Sequence, residues 1–386
     1  EYINRGFLSD SVENSVNMTL EYAYNDWTIA QMARLTNDQQ TASLFDQRSF
    51  NYRNLFDPVT LYMLPRNSAG FVRNPGEMGY QESDKWTTTC FVPHNLQDLI
   101  NLTGGDRSFV SRLSEAYDEG RILHDNEPVF HYPYLFTYAG RPDLTTEKVR
   151  HILRHNYAAT PGGITGNDDL GSMSSWYVFS SIGLFPVCPG TSTYVLNAPL
   201  FKKITIRLPK GRLFQINTQG DNQTQYISSI NKDGKALGKL FIEHKDVIEG
   251  GVLNYILSPQ PGDLTAYQKP YSMTNELPEF QLSNLSLSTE KVFANQENSL
   301  YFNVRNNGAV GTKYVDLNAS GKRISQKSLM LGQNESRTDS LSFRLYNEGV
   351  NHIQTEGHSF DVQLKDRATD KSSLCTRITT GSLIKS

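Results

Sequence analysis

The apolar residues of this 386-residue chain change their period once, near Pro189, and that change limits what it can fold into. Upstream they recur at helical spacing, which lines one face of a helix. Val12, Val16, Leu20, Ala23 and Trp27 form the first stripe from Ser11, continued by Ile29, Met32 and Ala33. Pro93 opens a second helix with Leu96, Leu99 and Ile100 on one side, ended by Gly104-Gly105. Phe109, Leu113 and Tyr117 make a third stripe. Thr145 or Thr146 is expected to cap a fourth, carrying Val149, Ile152 and Leu153. Gly171 precedes a fifth, over about Ser172–Ile182, with Gly183 as its C-cap. Downstream the period is two. Ile204, Ile206 and Leu208 alternate with polar residues, Phe214 and Ile216 follow, and a run from Val252 ends at Leu257.

A link around Leu277–Glu279 leads into a third stretch. There Leu300-Phe302-Val304, Val315-Leu317, Leu341-Phe343-Leu345 and Phe360-Val362-Leu364 alternate between short turn signals, the pattern of a small immunoglobulin-like sandwich. The expected architecture is multi-domain α+β: a helical part over 1–190, a β-rich segment over 191–278 and a sandwich over 279–386. The final Ser/Thr/Lys-rich residues are expected to fray. Lys+Arg of 37 against Asp+Glu of 40 leaves no basic footprint for nucleic acid. No apolar run approaches the roughly 18 residues of a membrane helix. The three cysteines, Cys90, Cys188 and Cys375, are far apart and match neither a zinc spacing nor a disulfide framework. The chain opens at Glu1 with neither Met nor signal peptide, and its first periodic segment follows almost at once, so a fragment of a longer protein is expected.

The helices are separated by long loops, and loops of about 20 residues inside a compact domain are usually functional. Three of them hold concentrated polar chemistry. The first runs from Gly79 through Glu82, Asp84 and Trp86 to Val92-Pro93-His94. A carboxyl beside aromatic surface can act as a general acid, although Glu82 also reads as an ordinary exposed loop residue. The second is His124-Asp125-Asn126-Glu127-Pro128, followed by His131-Tyr132-Pro133-Tyr134. Its oxygen donors without cysteine suit calcium or magnesium, and equally describe a solvated acidic turn. The third is Gly162-Gly163-Ile164-Thr165-Gly166-Asn167-Asp168-Asp169-Leu170-Gly171 at a helix start, running into Ser174-Ser175-Trp176-Tyr177. One acid there would serve as an N-cap; two adjacent carboxylates repel, which a cation or a shared proton relieves. Inverting glycoside hydrolysis needs two carboxyls about 6.5–9.5 Å apart, an acid on the leaving oxygen and a base on water at the opposite face. Converging loops of this kind could supply both.

The strings SVENSVNMTLEYAYNDWTIAQMA, YRNLFDP, FVPHNLQDLINLTGG, DNEP, PYLFTYAGRP and GNDDLGSMSSWYVFSSIGLFPVCPG resemble glycoside hydrolase family 92, in order, over about residues 5–260. The resemblance implies an exo-acting, calcium-dependent α-mannosidase that inverts the anomeric centre, built on an (α/α)6 toroid of which 1–190 would be the C-terminal part. It implies Glu82 as general acid and Asp169 as base, with Asn167 and Asp168 beside it. Asn126 and Glu127 would bind Ca2+, with Asp169 close to the same ion. Trp86, His94, His124 and Tyr132 are expected to contact substrate. That substrate would be a glycan ending in α-mannose (α-1,2-linked), from mannan or a high-mannose N-glycan, met outside the cytoplasm of a bacterium.

Three places depart from the family pattern; in one, after Glu82, Trp86 is retained but Thr87-Thr88 stands where Gln-Tyr is common. Asn167 stands where many members carry Asp; it can hydrogen-bond a water but cannot take its proton. Arg121-Ile122-Leu123-His124 differs from the His-Glu pair associated with α-1,2 linkages, which bears on linkage. The chain is also expected to begin inside the toroid and, alone, to be inactive or very weak. A non-catalytic glycan-binding homologue is the alternative that Asn167 favours. A toroid lyase or phosphorylase is the other; His131, Tyr132 and Tyr134 are its only support, and no basic phosphate pocket is seen.

Overall fold

The structure is a computed structural model that describes residues 1–220, 226–288, 292–346, 349–365 and 378–379. Cys375 and the Ser/Thr/Lys-rich tail lie outside the described residues. The chain divides into two compact units, one of Glu1–Ile100 with Asp106–Asn275, the other of Asn101–Gly105 with the chain from Glu276 onward. It is a mixed α+β fold, helical first and then rich in sheet.

The longer helices are α1 (Ser15–Leu35), α2 (Gln39–Arg48), α3 (Leu96–Leu102), α4 (Asp106–Asp118), α5 (Pro142–His155) and α6 (Ser172–Ile182). Helix α1 begins four residues later than the Ser11 stripe suggests. Asn14 sits there in a left-handed conformation (φ 55°), and the Val16 amide donates to Gly79 O at 2.9 Å. A tertiary contact therefore takes the place of a helical turn. Helix α5 starts at Pro142, whose fixed φ suits the first helical position. Thr145 and Thr146 are consequently not caps. They are buried inside the helix, and Thr145 Oγ1 pairs with Thr137 Oγ1 at 2.9 Å. Helix α6 follows its glycine signals, between Gly171 (φ 91°) and Gly183 (φ 88°).

The stretch between α2 and α3 is not free loop. It holds a 3-10 turn over Asn51–Leu55 and two short hairpins, Phe56–Asp57 with Tyr62–Met63 and Arg66–Asn67 with Gly70–Phe71. Ion pairs from partly exposed arginines to buried carboxylates anchor it. Asp98, with no exposed side-chain surface, accepts from Tyr52 Oη at 2.5 Å and from Arg53 Nη2 at 2.6 Å. Asp57 is equally buried and accepts from Arg73 Nε at 3.0 Å. Its carboxyl is desolvated, yet the Arg73, Thr60 and Val59 hydrogen bonds together hold its pKa below the usual value.

Beyond α6 the first unit continues into two sheets. One has five strands in the order Lys235–Ala236, Tyr226–Lys232, Gly251–Ser258, Leu213–Gln219 and Lys203–Arg207. The other orders Phe241–Glu243, Thr193–Leu196 and Leu184–Phe185. Phe214, Ile216, Ile227, Ile230, Leu253 and Tyr255 form their shared core, and Phe179 and Ile182 of α6 pack against it. Burying that apolar end of α6 fixes the helix whose other end carries Asp168 and Asp169.

In the second unit Phe280–Leu287, Asn298–Asn306 and Ser336–Phe343 make one antiparallel sheet. A second sheet contains Val292–Phe293, His358–Lys365, Gly349–Thr355, Gly311–Ala319 and Lys322–Leu331. Inward residues of both, among them Phe302, Val304, Val315, Leu317, Leu331, Leu341 and Phe360, share one core. The strands Lys322–Leu331 and Gly349–Thr355 escape a reading by alternation because charged and amide residues occupy their outer positions.

Candidate active site

The three polar loops are tied to one another. Loop one leans on α1. The Gln81 amide donates to Asn17 Oδ1 at 3.0 Å, Asn17 Nδ2 donates to Ser83 Oγ at 3.2 Å, and Asn14 Nδ2 donates to Gln81 Oε1 at 2.5 Å. Asp84 then caps the short helix Lys85–Thr88, accepting from the Trp86 and Thr87 amides at 2.8 and 2.9 Å. These clamps hold Glu82, an exposed residue, at φ 48°. A left-handed backbone is unfavourable for a residue with Cβ, and such outliers concentrate where a side chain must be aimed. Asn14 and Asn17 carry no motif of their own; only the position of loop one against α1 reveals their role.

Loop one meets loop two at several points. Asn126 Nδ2 donates to Glu82 Oε2 at 3.2 Å. The Tyr132 hydroxyl donates to Trp86 O and accepts from the Cys90 amide, both at 3.1 Å. His131 Nε2 lies 3.0 Å from Cys90 O. Trp86 is half-buried, with the edge of Tyr62 at 5.0 Å between ring centroids and the Arg121 guanidinium 5.7 Å above its own ring.

Loop two meets loop three through His124 and Gly166. Tyr157 donates its hydroxyl proton to Met173 O at 3.1 Å, so His124 Nε2, 3.0 Å from the Tyr157 hydroxyl oxygen, must carry a proton. The His124 ring lies 4.1 Å from Trp176 between centroids, and Trp176 Nε1 donates to Phe130 O at 2.8 Å. Gly166 has φ 76°, and a Cβ there would come within 2.1 Å of Asp125 O. Gly166→Ala is therefore expected to separate the two loops and to cost at least about 1 kcal/mol. Chemical denaturation would measure this, and an unchanged midpoint would contradict the close approach.

Loop three divides its two carboxylates. Asp168 turns into α6, accepting from the Ser174 amide at 2.9 Å and from Ser174 Oγ at 3.1 Å. It serves as the helix cap, while Gly171 occupies the cap position in the backbone. Asp169, Leu170 and Gly171 follow with φ of 44°, 57° and 91°. This left-handed run throws the Asp169 carboxylate and the Leu170 side chain into solvent. Asn167 and Glu127 are exposed as well. Among the described residues, Glu82, Glu127, Asp168 and Asp169 form no ion pair, which leaves this surface rich in uncompensated negative charge.

His94 and Tyr132 are placed differently from an open substrate contact, at 1% and 0% exposure. His94 Nε2 lies 3.0 Å from Ser49 O, and its ring stacks on Tyr24 and meets Tyr52 edge-on, so the imidazole is packed in the interior. Tyr132 braces Trp86 from behind. His124 is 5% exposed and likewise packed.

Burial pushes His94, His124 and His131 down to about 4. Each binds its proton more weakly folded than unfolded. Their contribution to stability is complete above pH 6.5 and is lost as pH falls toward 4, with a slope of about 1.4 kcal/mol per pH unit for each group. Stability measured by urea denaturation is expected to fall steeply between pH 6.5 and 5; a flat profile in that window would refute neutral, buried histidines.

The pattern of the glycosyl hydrolase family 92 catalytic domain matches residues 1–259. The chain belongs to glycosyl hydrolase family 92. An uncharacterized secreted glycosidase of Arthroderma benhamiae is 30% identical over 292 residues, covering 67% of this chain and 37% of that protein. A family GH92 α-mannosidase of Bacteroides thetaiotaomicron, solved with mannoimidazole, superposes with a TM-score of 0.66 at 30% identity, covering 71% of this chain and 40% of its own. An inverting mannosidase of the same family and bacterium gives 0.66 at 30% identity, covering 70% and 41%. The chain thus spans about 40% of the length of the solved relatives it matches. These relatives come from a fungus and a bacterium, so they do not carry the expected bacterial origin. No described helix is long and apolar enough to cross a membrane.

Proposed function

We propose that the full-length protein removes terminal α-linked mannose from mannan or high-mannose N-glycans outside the cytoplasm, inverting the anomeric centre. The observation that carries this reading is the joining of the three loops, loop one to loop two through Asn126 and Glu82 and loop two to loop three through Asp125 and Gly166, with both proposed catalytic carboxylates on left-handed backbone. Glu82 protonates the leaving oxygen. Its neighbour Asn126 orients that carboxyl through the 3.2 Å hydrogen bond from Nδ2. Asp169 takes the proton from the attacking water, and Asn167 holds that water by a hydrogen bond without accepting its proton. Asp168 keeps loop three in register with α6. Trp86 offers an aromatic face to the sugar. Residues 1–190 form an arc of an (α/α)6 toroid and 191–278 complete the catalytic region, with 279–386 an appended immunoglobulin-like module.

Calcium fits the donors present. Asn126 Oδ1 and the carboxylates of Glu127 and Asp169 are hard oxygen ligands, and the surrounding negative charge lacks cationic partners among the described residues. No group of three or more His, Cys, Asp or Glu side chains suited to a metal occurs among those residues, so an amide donor and the sugar hydroxyls would have to complete the shell. When bound, calcium would hold the mannose O2 and O3 and favour a distorted ring.

The test is hydrolysis of an α-mannoside by the full-length protein, followed by NMR. β-Mannose is expected as the first product, and EDTA should remove activity that Ca2+ restores. Release of α-mannose first, or full activity in EDTA, would overturn the inverting or the calcium-dependent part respectively. Binding of mannosides without any hydrolysis would instead support the glycan-binding homologue that Asn167 suggests.

A further inference from the structure

We propose that His151 and His155 bind one divalent transition ion of the zinc, nickel or copper type at the C-terminal end of α5. The two residues are four apart on the last turns of the helix, the spacing that sets two imidazoles on one face. Their rings stack with centroids 4.2 Å apart and 28° between planes. Both residues are exposed, so the rings can rotate outward into solvent.

The nitrogens are suitably disposed. His155 Nδ1 lies 2.8 Å from His151 O, and a carbonyl can only accept, so that nitrogen carries the proton and Nε2 keeps the lone pair. Neither ring nitrogen of His151 has a hydrogen-bond partner among the described residues. Imidazole donors select borderline ions over calcium. The end of a helix also favours a cation. Lys148 and Arg154 add positive charge to the last turns of the same helix, and Lys148 Nζ is 3.4 Å from Asp118 Oδ1, which offsets part of it. Glu147 continues the same stripe but faces the Tyr226 hydroxyl. Among the described residues no third His, Cys, Asp or Glu side chain joins the pair in a metal-holding group, so water would fill the remaining positions. This site shares no residue with the proposed calcium donors and does not depend on them.

The experiment is calorimetric titration of ZnCl2 into the full-length protein in a buffer containing excess CaCl2. One zinc ion per chain is expected at this site. H151Q or H155Q should weaken it roughly ten- to hundredfold, because each imidazole makes the other's binding intramolecular, and the double variant should abolish it. Metal-free melting temperatures of the variants should match the parent, since both side chains are exposed. Bound zinc should also protect His151 and His155 of the unmodified protein from carbethoxylation, which needs no variant. Equal zinc affinity in the double variant, competition by calcium, or no protection of these two residues would overturn the proposal.

Discussion

Replacing Glu82 by glutamine in the full-length protein should lower kcat on a natural mannoside roughly 10²–10⁴-fold, the range general acids contribute. Glutamine preserves the shape of loop one and its neighbour Asn126, so KM should change little. The loss should also depend on the leaving group. An aryl mannoside that departs without protonation should recover most of the rate in E82Q. A loss of the same size on both substrates would assign Glu82 to positioning and not to proton donation. Asn14→Ala or Asn17→Ala should act in the same direction but more weakly, because they loosen the clamp on loop one and leave the carboxyl in place.

The second large effect separates two adjacent carboxylates that no reading of the sequence could rank by physics alone. Asp169→Asn should abolish most turnover, again roughly 10²–10⁴-fold, while leaving the melting temperature unchanged, because that side chain is exposed and makes no hydrogen bond among the described residues. Asp168→Ala should do the opposite in kind. It removes the acceptor for the Ser174 amide and should cost about 1 kcal/mol of stability. Activity would fall only as far as loop three shifts. Loss of stability in the Asp169 variant, or none in the Asp168 variant, would reverse the roles.

Helix stripes, glycine caps and alternating strands were legible because they depend on neighbours within a few residues. Gly171 and Gly183 bracket α6 as their chemistry demands, and Leu300-Phe302-Val304 face one core. The fourth helix shows the limit of that approach. Thr145 and Thr146 look like caps, yet Pro142 starts the helix and burial claims both threonines. His94 is a second case. The resemblance implies a substrate contact there, and the structure packs the ring against Tyr24 and Tyr52 in the interior.

By itself, the sequence determined the family, the order of helical and β segments, and the presence of three polar loops, since each is written in contiguous residues. Only the tertiary structure decided how those loops are used. Asn126 reaches Glu82 across 44 residues, and Asn17 holds Gln81 across 64. Gly166 lets loop three touch Asp125, and the burial of Phe179 and Ile182 fixes the axis on which Asp168 turns inward and Asp169 outward. Such choices follow from packing between distant segments. They turn on hydrogen bonds of about 3 Å between residues far apart in the chain, which no local pattern of residue types records.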